Sequence, residues 1–541
     1  MRVLLLAGEG PYFKNNTYYD GSLFDSSARA RTDRYFAPLG GLHLGQLRIL
    51  DGGRTGGPAL VPKRGIGPHL SSYAVESILS ETSHDVELFG LDGVWDGDCE
   101  PVIDPDVVLL STTFICDERS LRLALGWVHD RFPAVPLVLG GQYSNLKYAQ
   151  ILTRYPDVDM VVRGDGERAI PALLDAIALG RDLGEVPNLV ARRPDGSLRL
   201  SPVEYIDLDA QPSPRYRGEH PIVPYESMRG CPFSCKFCSF PAASPLWRYK
   251  SAQKIRDDWW RYAEHNGAQH VRAMDSTFTV PPRRLRELLP MLVDNPVTWE
   301  AYTRANVLKD SGSVARLAEA RCTALSIGFE SMSPSTLTHM NKKVNVRQNR
   351  VAHDVLRGGD VDYRVSFMAG YPGESPADYA DTHRFLVDEF SGHFMLSVFS
   401  IVDETMPVWQ DAERFGLRVL DQENPDYSWR HDGMTVDTAR ELVRQTLDDV
   451  RARSDDAVLL LWQTEWQRPL LPDRDRHTNL RVEKLIERLA MLLRDVPDQG
   501  TGCDRAVHLL AELERLGVVR VPDDPDGEAR PAECRRIAAP A

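Results

Sequence analysis

Three cysteines, Cys231, Cys235 and Cys238, lie within a span of eight residues, and no fourth cysteine is near them in the sequence. A cubane iron–sulfur cluster is normally held by four protein thiolates. Three thiolates from one loop would leave one iron of a [4Fe–4S] cluster without a protein ligand. That iron could bind a small molecule, so the spacing favours a cluster that binds a substrate over one that only transfers electrons.

Zinc and disulfides are the other common uses of closely spaced cysteines. Structural zinc usually takes four ligands, often from two knuckles, and here neither a second knuckle nor a histidine at finger spacing follows. A disulfide set would leave one of the three cysteines unpaired, and nothing marks the chain as secreted. The scattered cysteines are predicted to be ordinary core or surface residues: Cys99, Cys116, Cys322, Cys503 and Cys534.

Composition and charge narrow the class of protein. The chain has 541 residues, a net charge of −14 and 42% hydrophobic residues, which indicates a folded acidic protein of two or three domains. The acidity argues against a nucleic-acid-binding surface, and no apolar run approaches the ~20 residues of a membrane-spanning helix. Residues 1–7 are predicted to be a buried strand rather than a signal peptide. We therefore expect a cytoplasmic protein with reduced thiols.

Strand and helix patterns alternate through residues 1–200, which predicts a doubly wound parallel sheet carrying an irregular insertion at 11–70. Ligands of such a sheet bind beyond the carboxyl ends of its strands. Small and hydroxylated residues gather at three of these ends, where the backbone could approach a large planar cofactor closely. These candidate residues are Ser111, Thr112, Thr113, Gly140, Gly141, Gln142, Tyr143, Gly164 and Glu167.

The rest of the chain divides into four predicted segments. A proline-rich stretch at 201–220 is typical of a linker, and six further strand–helix units are predicted over 221–425. Helical periods indicate a small helical domain over 426–520. Prolines and charges predict a disordered tail over 521–541.

The cysteine loop, with Phe237 directly before its last cysteine, resembles the C-x3-C-x2-C signature of radical S-adenosylmethionine (SAM) enzymes. The resemblance implies a partial (β/α)6 barrel, and a cluster whose open iron is chelated by the amino and carboxylate groups of SAM. It also implies that an external electron donor, such as a flavodoxin or ferredoxin, reduces the cluster. Reduction then cleaves SAM to methionine and a 5′-deoxyadenosyl radical, while the protein supplies orientation.

Further candidates follow the strands of this expected barrel, where catalytic groups belong. The resemblance implies that Asp275 accepts hydrogen bonds from the ammonium of SAM, that Arg304 meets its carboxylate, and that Glu330 accepts from its ribose or amino group. Asp275 could equally cap a helix, and Arg304 could lie on the surface. The full set of expected SAM-binding residues is Phe237, Asp275, Ser276, Arg304, Glu330, Ser331, Gly370 and Gly373.

Residues 75–180 resemble the cobalamin-binding domain that precedes many radical SAM barrels, through the three loops at the strand ends. The cobalt-ligating Asp-x-His-x-x-Gly motif is absent. Either cobalamin binds without a protein histidine beneath cobalt, or the domain has lost the cofactor, and we expect that it is retained. Gln142 and Tyr143 would then face the lower side of the corrin.

Together these parts resemble cobalamin-dependent, class B radical SAM methyltransferases, and most of all the P-methyltransferases of phosphinothricin-type pathways. The resemblance implies a cytoplasmic enzyme of antibiotic biosynthesis. It would move a methyl group from SAM, by way of methylcobalamin, to a non-nucleophilic centre of a small or peptide-like substrate. An anionic phosphinate would need cations, for which Arg272, Arg304 and Arg364 are candidates.

Four alternatives differ in substrate or in chemistry. C-methylation of an unactivated carbon keeps the enzyme class, whereas a radical rearrangement or oxidation would involve no methyl transfer. An iron–sulfur or corrin sensor would need a response-coupling domain. A methylthiotransferase would need a second set of three cysteines in the front domain, where only Cys99 and Cys116 occur.

Overall fold

The computed structural model describes residues 1–8, 68–96, 100–115, 117–401, 404–421, 428–459 and 474–495, short strands at 38–39, 42–43, 48–51, 54–58 and 519–520, and a few residues between 508 and 516. Most of the predicted insertion, the predicted disordered tail, and Cys99, Cys116, Cys503 and Cys534 lie outside the described residues. Within the described ranges, no helix combines the length and apolar character that a membrane crossing requires.

The amino-terminal domain is built on a seven-stranded sheet. Its strands are β1 (Arg2–Ala7), β2 (Asp85–Gly90), β3 (Val107–Ser111), β4 (Leu137–Gly140), β5 (Met160–Val162), β6 (Leu189–Arg192) and β7 (Leu198–Leu200), in the spatial order β7-β6-β5-β4-β3-β1-β2. Strands β1 to β5 are parallel, and β6 and β7 add an antiparallel edge. The predicted doubly wound sheet is therefore confirmed.

Helices cover both faces of this front sheet, because its central strands are apolar on both sides. The helices are α1 (Leu70–Leu79), α2 (Leu91–Asp96), α3 (Glu118–Arg131), α4 (Gln142–Arg154) and α5 (Gly166–Leu179). Helices α1 and α5 pack on one face and α2, α3 and α4 on the other. Strand β1 lies between β2 and β3, so the strand order reverses there, and ligands of open α/β sheets bind at such a switch point.

The second domain is a parallel sheet whose strands follow one another in chain order. Its strands are β8 (Ile222–Tyr225), β9 (His270–Ala273), β10 (Thr298–Arg304), β11 (Cys322–Glu330), β12 (Asp362–Ala369), β13 (Gly392–Val398) and β14 (Ala457–Leu459). Six of these strands lie in the region where six units were predicted. The seventh, β14, comes from the segment predicted to be a separate helical domain, and it pairs in parallel with β13.

The helices of this partial barrel alternate with its strands. They are α6 (Phe240–Ala243), α7 (Ala252–Asn266), α8 (Pro282–Leu292), α9 (Ser311–Glu319), α10 (Pro334–His339), α11 (Val346–Arg357), α12 (Pro376–Asp388), α13 (Val436–Arg453) and α14 (Arg476–Asp495). Capping boxes begin α9, α11 and α12 at Asp310, Asn345 and Ser375, which satisfies backbone N–H groups that have no partner within the helix. The predicted domain boundaries remain predictions.

Candidate functional site

The cysteine loop follows the carboxyl end of β8. Cys235 is buried, and Cys231 and Cys238 are partly buried. Burial raises the pKa of Cys238 to about 11, and the nearby thiols of Cys235 and Cys231 contribute to the rise. Bound iron would reverse this shift, since a thiol that coordinates a metal is deprotonated.

The geometry of the loop bears on the choice between iron–sulfur and zinc. Among the described residues, no three histidine, cysteine, aspartate or glutamate side chains are arranged to hold a single metal ion. A structural zinc requires its ligands to converge on one ion, whereas a cubane places each thiolate on a different iron. The preference for a cluster over zinc rests on the spacing of the three cysteines and on the lack of a fourth ligand near them in the sequence.

Asp275 and Ser276, which follow β9, hold the start of the cysteine loop. The Asp275 carboxylate accepts hydrogen bonds from the backbone N–H groups of Ser227 at 2.7 Å and Met228 at 3.0 Å, and burial raises its pKa to about 6. The Ser276 hydroxyl donates to the carbonyl of Gly230 at 3.1 Å. Asp275 was expected to accept from the ammonium of SAM and Ser276 to belong to the SAM site, and both roles stay predictions. In the structure the two side chains fix the start of the cysteine loop.

Arg304, at the end of β10, contacts the cysteine loop directly. Its guanidinium lies 3.8 Å from the centre of the Phe233 ring and donates to the Cys235 sulfur at 3.6 Å. It also donates to the carbonyl oxygen of Lys342. The expected contact of Arg304 with the SAM carboxylate stays a prediction; in the structure its guanidinium lies between the Phe233 ring and the Cys235 sulfur.

Glu330, at the end of β11, has a strained backbone. Its φ is +67°, in the left-handed region that a residue with a side chain rarely adopts. A bulge against β12 lies next to it, and bulges often redirect a side chain beside a functional site. The carboxylate accepts from the Lys342 ammonium at 2.9 Å. Because Lys342 also lies 5.2 Å from the Phe237 ring, Glu330 is held beside the cysteine loop.

Ser331, Gly370 and Gly373 have local packing roles in the structure. The Ser331 hydroxyl is fully buried and accepts from the backbone N–H of Ser333 at 3.1 Å. A Cβ on Gly370 would lie 2.5 Å from Trp429, and one on Gly373 would lie 2.5 Å from Phe415. Both glycines also have φ near +90°, so the backbone conformation of the turn itself requires glycine at these positions.

A cavity of about 1020 Å³ joins the front sheet to the barrel. Its volume lies at the upper end of the range for small-molecule sites, roughly 300–1,000 Å³. The predicted residues among its front-domain lining are Ser111, Thr113, Gly140, Gly141, Gln142, Gly164 and Glu167. Its barrel lining includes Gly230, Arg272, Met274 and Tyr302. One space therefore reaches both the front-sheet loops and the start of the cysteine loop.

Two predicted residues lie beside this cavity rather than among its lining residues. Thr112 is fully buried, and its hydroxyl donates to Gly140 at 2.7 Å and lies 2.9 Å from the Ser144 hydroxyl. Tyr143 packs under the Lys147 ammonium, 5.2 Å from the ring centre. Thr112 therefore fixes the loops that do line the cavity.

The front part of the cavity fits a large planar cofactor such as cobalamin. Gly141 has φ of +100°, and a Cβ there would lie 2.7 Å from the backbone nitrogen of Thr113, so two of the loops are in close contact. A Cβ on Gly140 or Gly164 would have no neighbour nearer than 3.5 Å, so the space beside the backbone is open at these two positions. The lining of the cavity also includes apolar side chains from the front domain, namely Leu5, Ala74, Ile78, Leu109 and Val138.

Arg229 connects the two domains two residues before Cys231. It donates to Asp165 at 2.9 Å and to Glu167 at 3.0 Å, both at the start of α5, and to Glu226 at 3.0 Å. Burial disfavours its charge, but Glu226 and Glu167 outweigh that effect and hold the pKa of Arg229 well above its usual value. Sequence reasoning did not connect Arg229 with Asp165 and Glu167, because these two residues lie more than sixty positions from it.

Tyr302 and Met274 are functional candidates that sequence reasoning missed. Their exposed fractions are 41% and 45%, although both lie at strand ends within the barrel. Alternation along β10 places Glu300, Tyr302 and Arg304 on one face, and that pattern could have identified Tyr302. Of the cations expected to hold an anion, Arg272 and Arg364 both contact Glu300, at 2.8 and 3.3 Å.

Comparison with known protein families identifies the barrel. Residues 225–386 match the Radical SAM superfamily. This match confirms the expected radical SAM barrel and the expectation of an enzyme, and the likeness to a solved radical SAM methyltransferase confirms the expected fold.

Three known proteins show the extent of the similarity. The chain is 25% identical to an uncharacterized methyltransferase of Pyrococcus horikoshii over 59% of its own length and 73% of that protein. It is 25% identical to the anaerobic magnesium-protoporphyrin IX monomethyl ester cyclase of Rubrivivax gelatinosus over 53% of its own length and 55% of that protein. The structure of TsrM from Kitasatospora setae, a radical SAM methyltransferase with cobalamin and a [4Fe–4S] cluster bound, matches with a TM-score of 0.59 and 15% identity over 80% of this chain and 99% of that one. At this identity the last match shows a shared fold.

Proposed function

We propose that this chain is a cobalamin-dependent radical SAM methyltransferase that methylates a non-nucleophilic centre of a small-molecule or peptide-like substrate. The observation that carries the proposal is the single cavity shared by the glycine-containing loops of the front sheet and the start of the cysteine loop. A cofactor on the front sheet and a substrate in the barrel would meet there without crossing solvent.

Each proposed cofactor is assigned to one side of the cavity, either the cysteine loop or the loops of the front sheet. A [4Fe–4S] cluster would be held by Cys231, Cys235 and Cys238, and SAM would bind its open iron within reach of Glu330. Cobalamin would lie on the loops after β3, β4 and β5. When bound, the cluster and SAM supply a radical, and cobalamin supplies a transferable methyl group.

The chain's own residues would orient these groups. Asp275 and Ser276 fix the start of the cysteine loop, and Arg304 places a positive charge beside Cys235. Glu330 offers carboxylate oxygens to the hydroxyl or amino groups of SAM. The proposal places the enzyme in the cytoplasm, where thiols stay reduced, with an external electron donor as its partner.

For the substrate, we propose a phosphinate of the phosphinothricin-precursor type, methylated on phosphorus. Arg272 lines the cavity, and it contacts Glu300 together with Arg364. A guanidinium at the cavity wall could donate hydrogen bonds to the charged oxygen of a phosphinate. C-methylation of an unactivated carbon is the alternative within the same class, and the identity of the product separates the two.

The test is an anaerobic reaction of the reconstituted protein with SAM that carries a deuterated methyl group, a reductant and a candidate phosphinate. Methyl transfer predicts S-adenosylhomocysteine and 5′-deoxyadenosine in equal amounts, together with a trideuteromethyl group on phosphorus. The matched control is Cys235→Ala, which should yield none of these products. Deoxyadenosine without S-adenosylhomocysteine would contradict methyl transfer.

That contradicting result would support a second candidate, a radical oxidation or cyclisation without methyl transfer. The match to the Rubrivivax gelatinosus cyclase favours this candidate, since that relative is named for a ring closure. Its distinguishing result is an oxidised product formed while the methyl group of SAM stays on methionine.

A further inference from the structure

His69 lies at the switch point of the front sheet. Its Cδ2 would be 3.8 Å from a Cβ on Gly8, the residue that follows β1. Its ring centre is 5.5 Å from that of Phe114, which lies just beyond β3. The imidazole therefore lies between the carboxyl ends of the two strands where the strand order reverses.

His69 also lines the cavity that joins the two domains, and it is the sole imidazole among the described residues that do so. It occupies the position before the first residue of α1 but makes no side-chain capping hydrogen bond there. Capping is the ordinary role of a polar side chain at that position. A neutral imidazole nitrogen in a cofactor cavity is, in turn, the commonest side-chain ligand of metal ions.

We infer that His69 is the axial ligand of cobalt on the corrin face that turns toward the front sheet. The inference rests on the proposed binding of cobalamin. The loops after β3, β4 and β5 would hold the corrin, and His69 lies at the same edge of the sheet and lines the same cavity. The sequence predicted no such ligand, because His69 lacks the context of the Asp-x-His-x-x-Gly motif.

The test uses the full chain with bound cobalamin reduced to the Co(II) state. In its electron paramagnetic resonance spectrum, an axial ¹⁴N ligand splits each high-field cobalt line into three. We expect two lines instead of three when the protein is labelled with ¹⁵N and the cobalamin is not. Splitting by the cofactor's own dimethylbenzimidazole would remain threefold in both samples, so the label distinguishes the two sources and needs no mutation.

His69→Gln provides the second measurement, with His129→Gln as its matched control. His129 lies on α3 of the same domain with 54% of its side chain exposed. His69→Gln should bind cobalamin and lose the ligand splitting, whereas His129→Gln should keep it. If cobalamin binds but its splitting pattern is the same in the ¹⁵N-labelled and the unlabelled protein, the inference about His69 is wrong and the proposed function stands. If the chain binds no cobalamin, both the inference and the proposed function are wrong.

Discussion

Asp165→Asn should loosen the attachment of the cysteine loop to the front domain, where Glu167 still pairs with Arg229. The Asp165 side chain is 5% exposed and accepts hydrogen bonds from Arg229 and Arg248 and from the backbone N–H of Ile206. Burial alone would raise its pKa, but Arg248 and Arg229 hold the pKa below its usual value, so the carboxylate is charged at neutral pH. Asparagine keeps the shape but removes the charge that pairs with both guanidiniums.

The size of the effect follows from the burial of the pair. Removing one partner of a buried ion pair costs about 3–5 kcal/mol. The side chains of Arg229 and Arg248 are 19% and 14% exposed. This residual exposure places the expected cost at the lower end of that range, about 3 kcal/mol. Since ~1.4 kcal/mol corresponds to a factor of ten, the equilibrium for local opening should rise roughly 100-fold.

Hydrogen exchange measures this local opening directly. Amides in peptides that cover 226–231 should exchange roughly 100-fold faster in Asp165→Asn than in the unaltered protein. Asp182→Asn is the matched control, because Asp182 belongs to the same domain, pairs with Arg199 and is 65% exposed. Equal exchange in Asp165→Asn and Asp182→Asn would refute the view that Asp165 fastens the loop.

Three further predictions concern single residues of the barrel. Glu330→Gln should weaken SAM binding roughly ten- to 100-fold in a calorimetric titration, because a hydrogen bond to a charged group contributes about 1.5–3 kcal/mol. Glu374→Gln should make the free energy of unfolding less dependent on pH, because burial raises the pKa of Glu374 to about 8. Ionisation of Glu374 therefore destabilises the native state as the pH rises, by roughly 2 kcal/mol between pH 6 and 8, and denaturant midpoints at several pH values measure the difference. Cys235→Ala should abolish the brown cluster chromophore and all SAM cleavage, as product analysis will show.

Each of these predictions has a control and a contradicting result. Glu319→Gln, at an exposed helix end, should bind SAM normally, and equal affinity in Glu330→Gln would remove Glu330 from the site. An unchanged pH dependence in Glu374→Gln would show that this carboxyl titrates near its usual value. Cys322→Ala, in the same barrel, should keep its cluster, and a chromophore retained in Cys235→Ala would exclude Cys235 as a ligand.

The sequence predicted the layout of the fold well, because the signals were local. Apolar runs located β1, β3 and β4, and alternation with helical patterns predicted both sheets. Strand β14 was missed because it has three residues and lies between two strongly helical patterns. Its place in the sheet depends on pairing with β13, which no local pattern reveals.

The sequence indicated which residues belong near the candidate site, but it did not indicate which contacts their side chains make. Asp275, Arg304 and the glycine turn were selected for contacts with SAM, yet the structure shows them holding the cysteine loop or packing against distant segments. Those partners are distant in the chain; Ser227, for example, lies 48 positions from Asp275. A residue's type and spacing indicate that it belongs near a site, whereas its partner depends on which distant segments the fold brings together.

The central claim is that three cysteines hold a cluster whose fourth iron binds SAM. The most direct measurement is electron paramagnetic resonance of the reduced, reconstituted protein before and after addition of SAM, with nuclear double resonance on SAM labelled at its amino nitrogen. The account predicts that SAM shifts the cluster spectrum and that the labelled nitrogen couples to the cluster. A spectrum that added SAM leaves unchanged, from a cluster with four protein ligands, would contradict it.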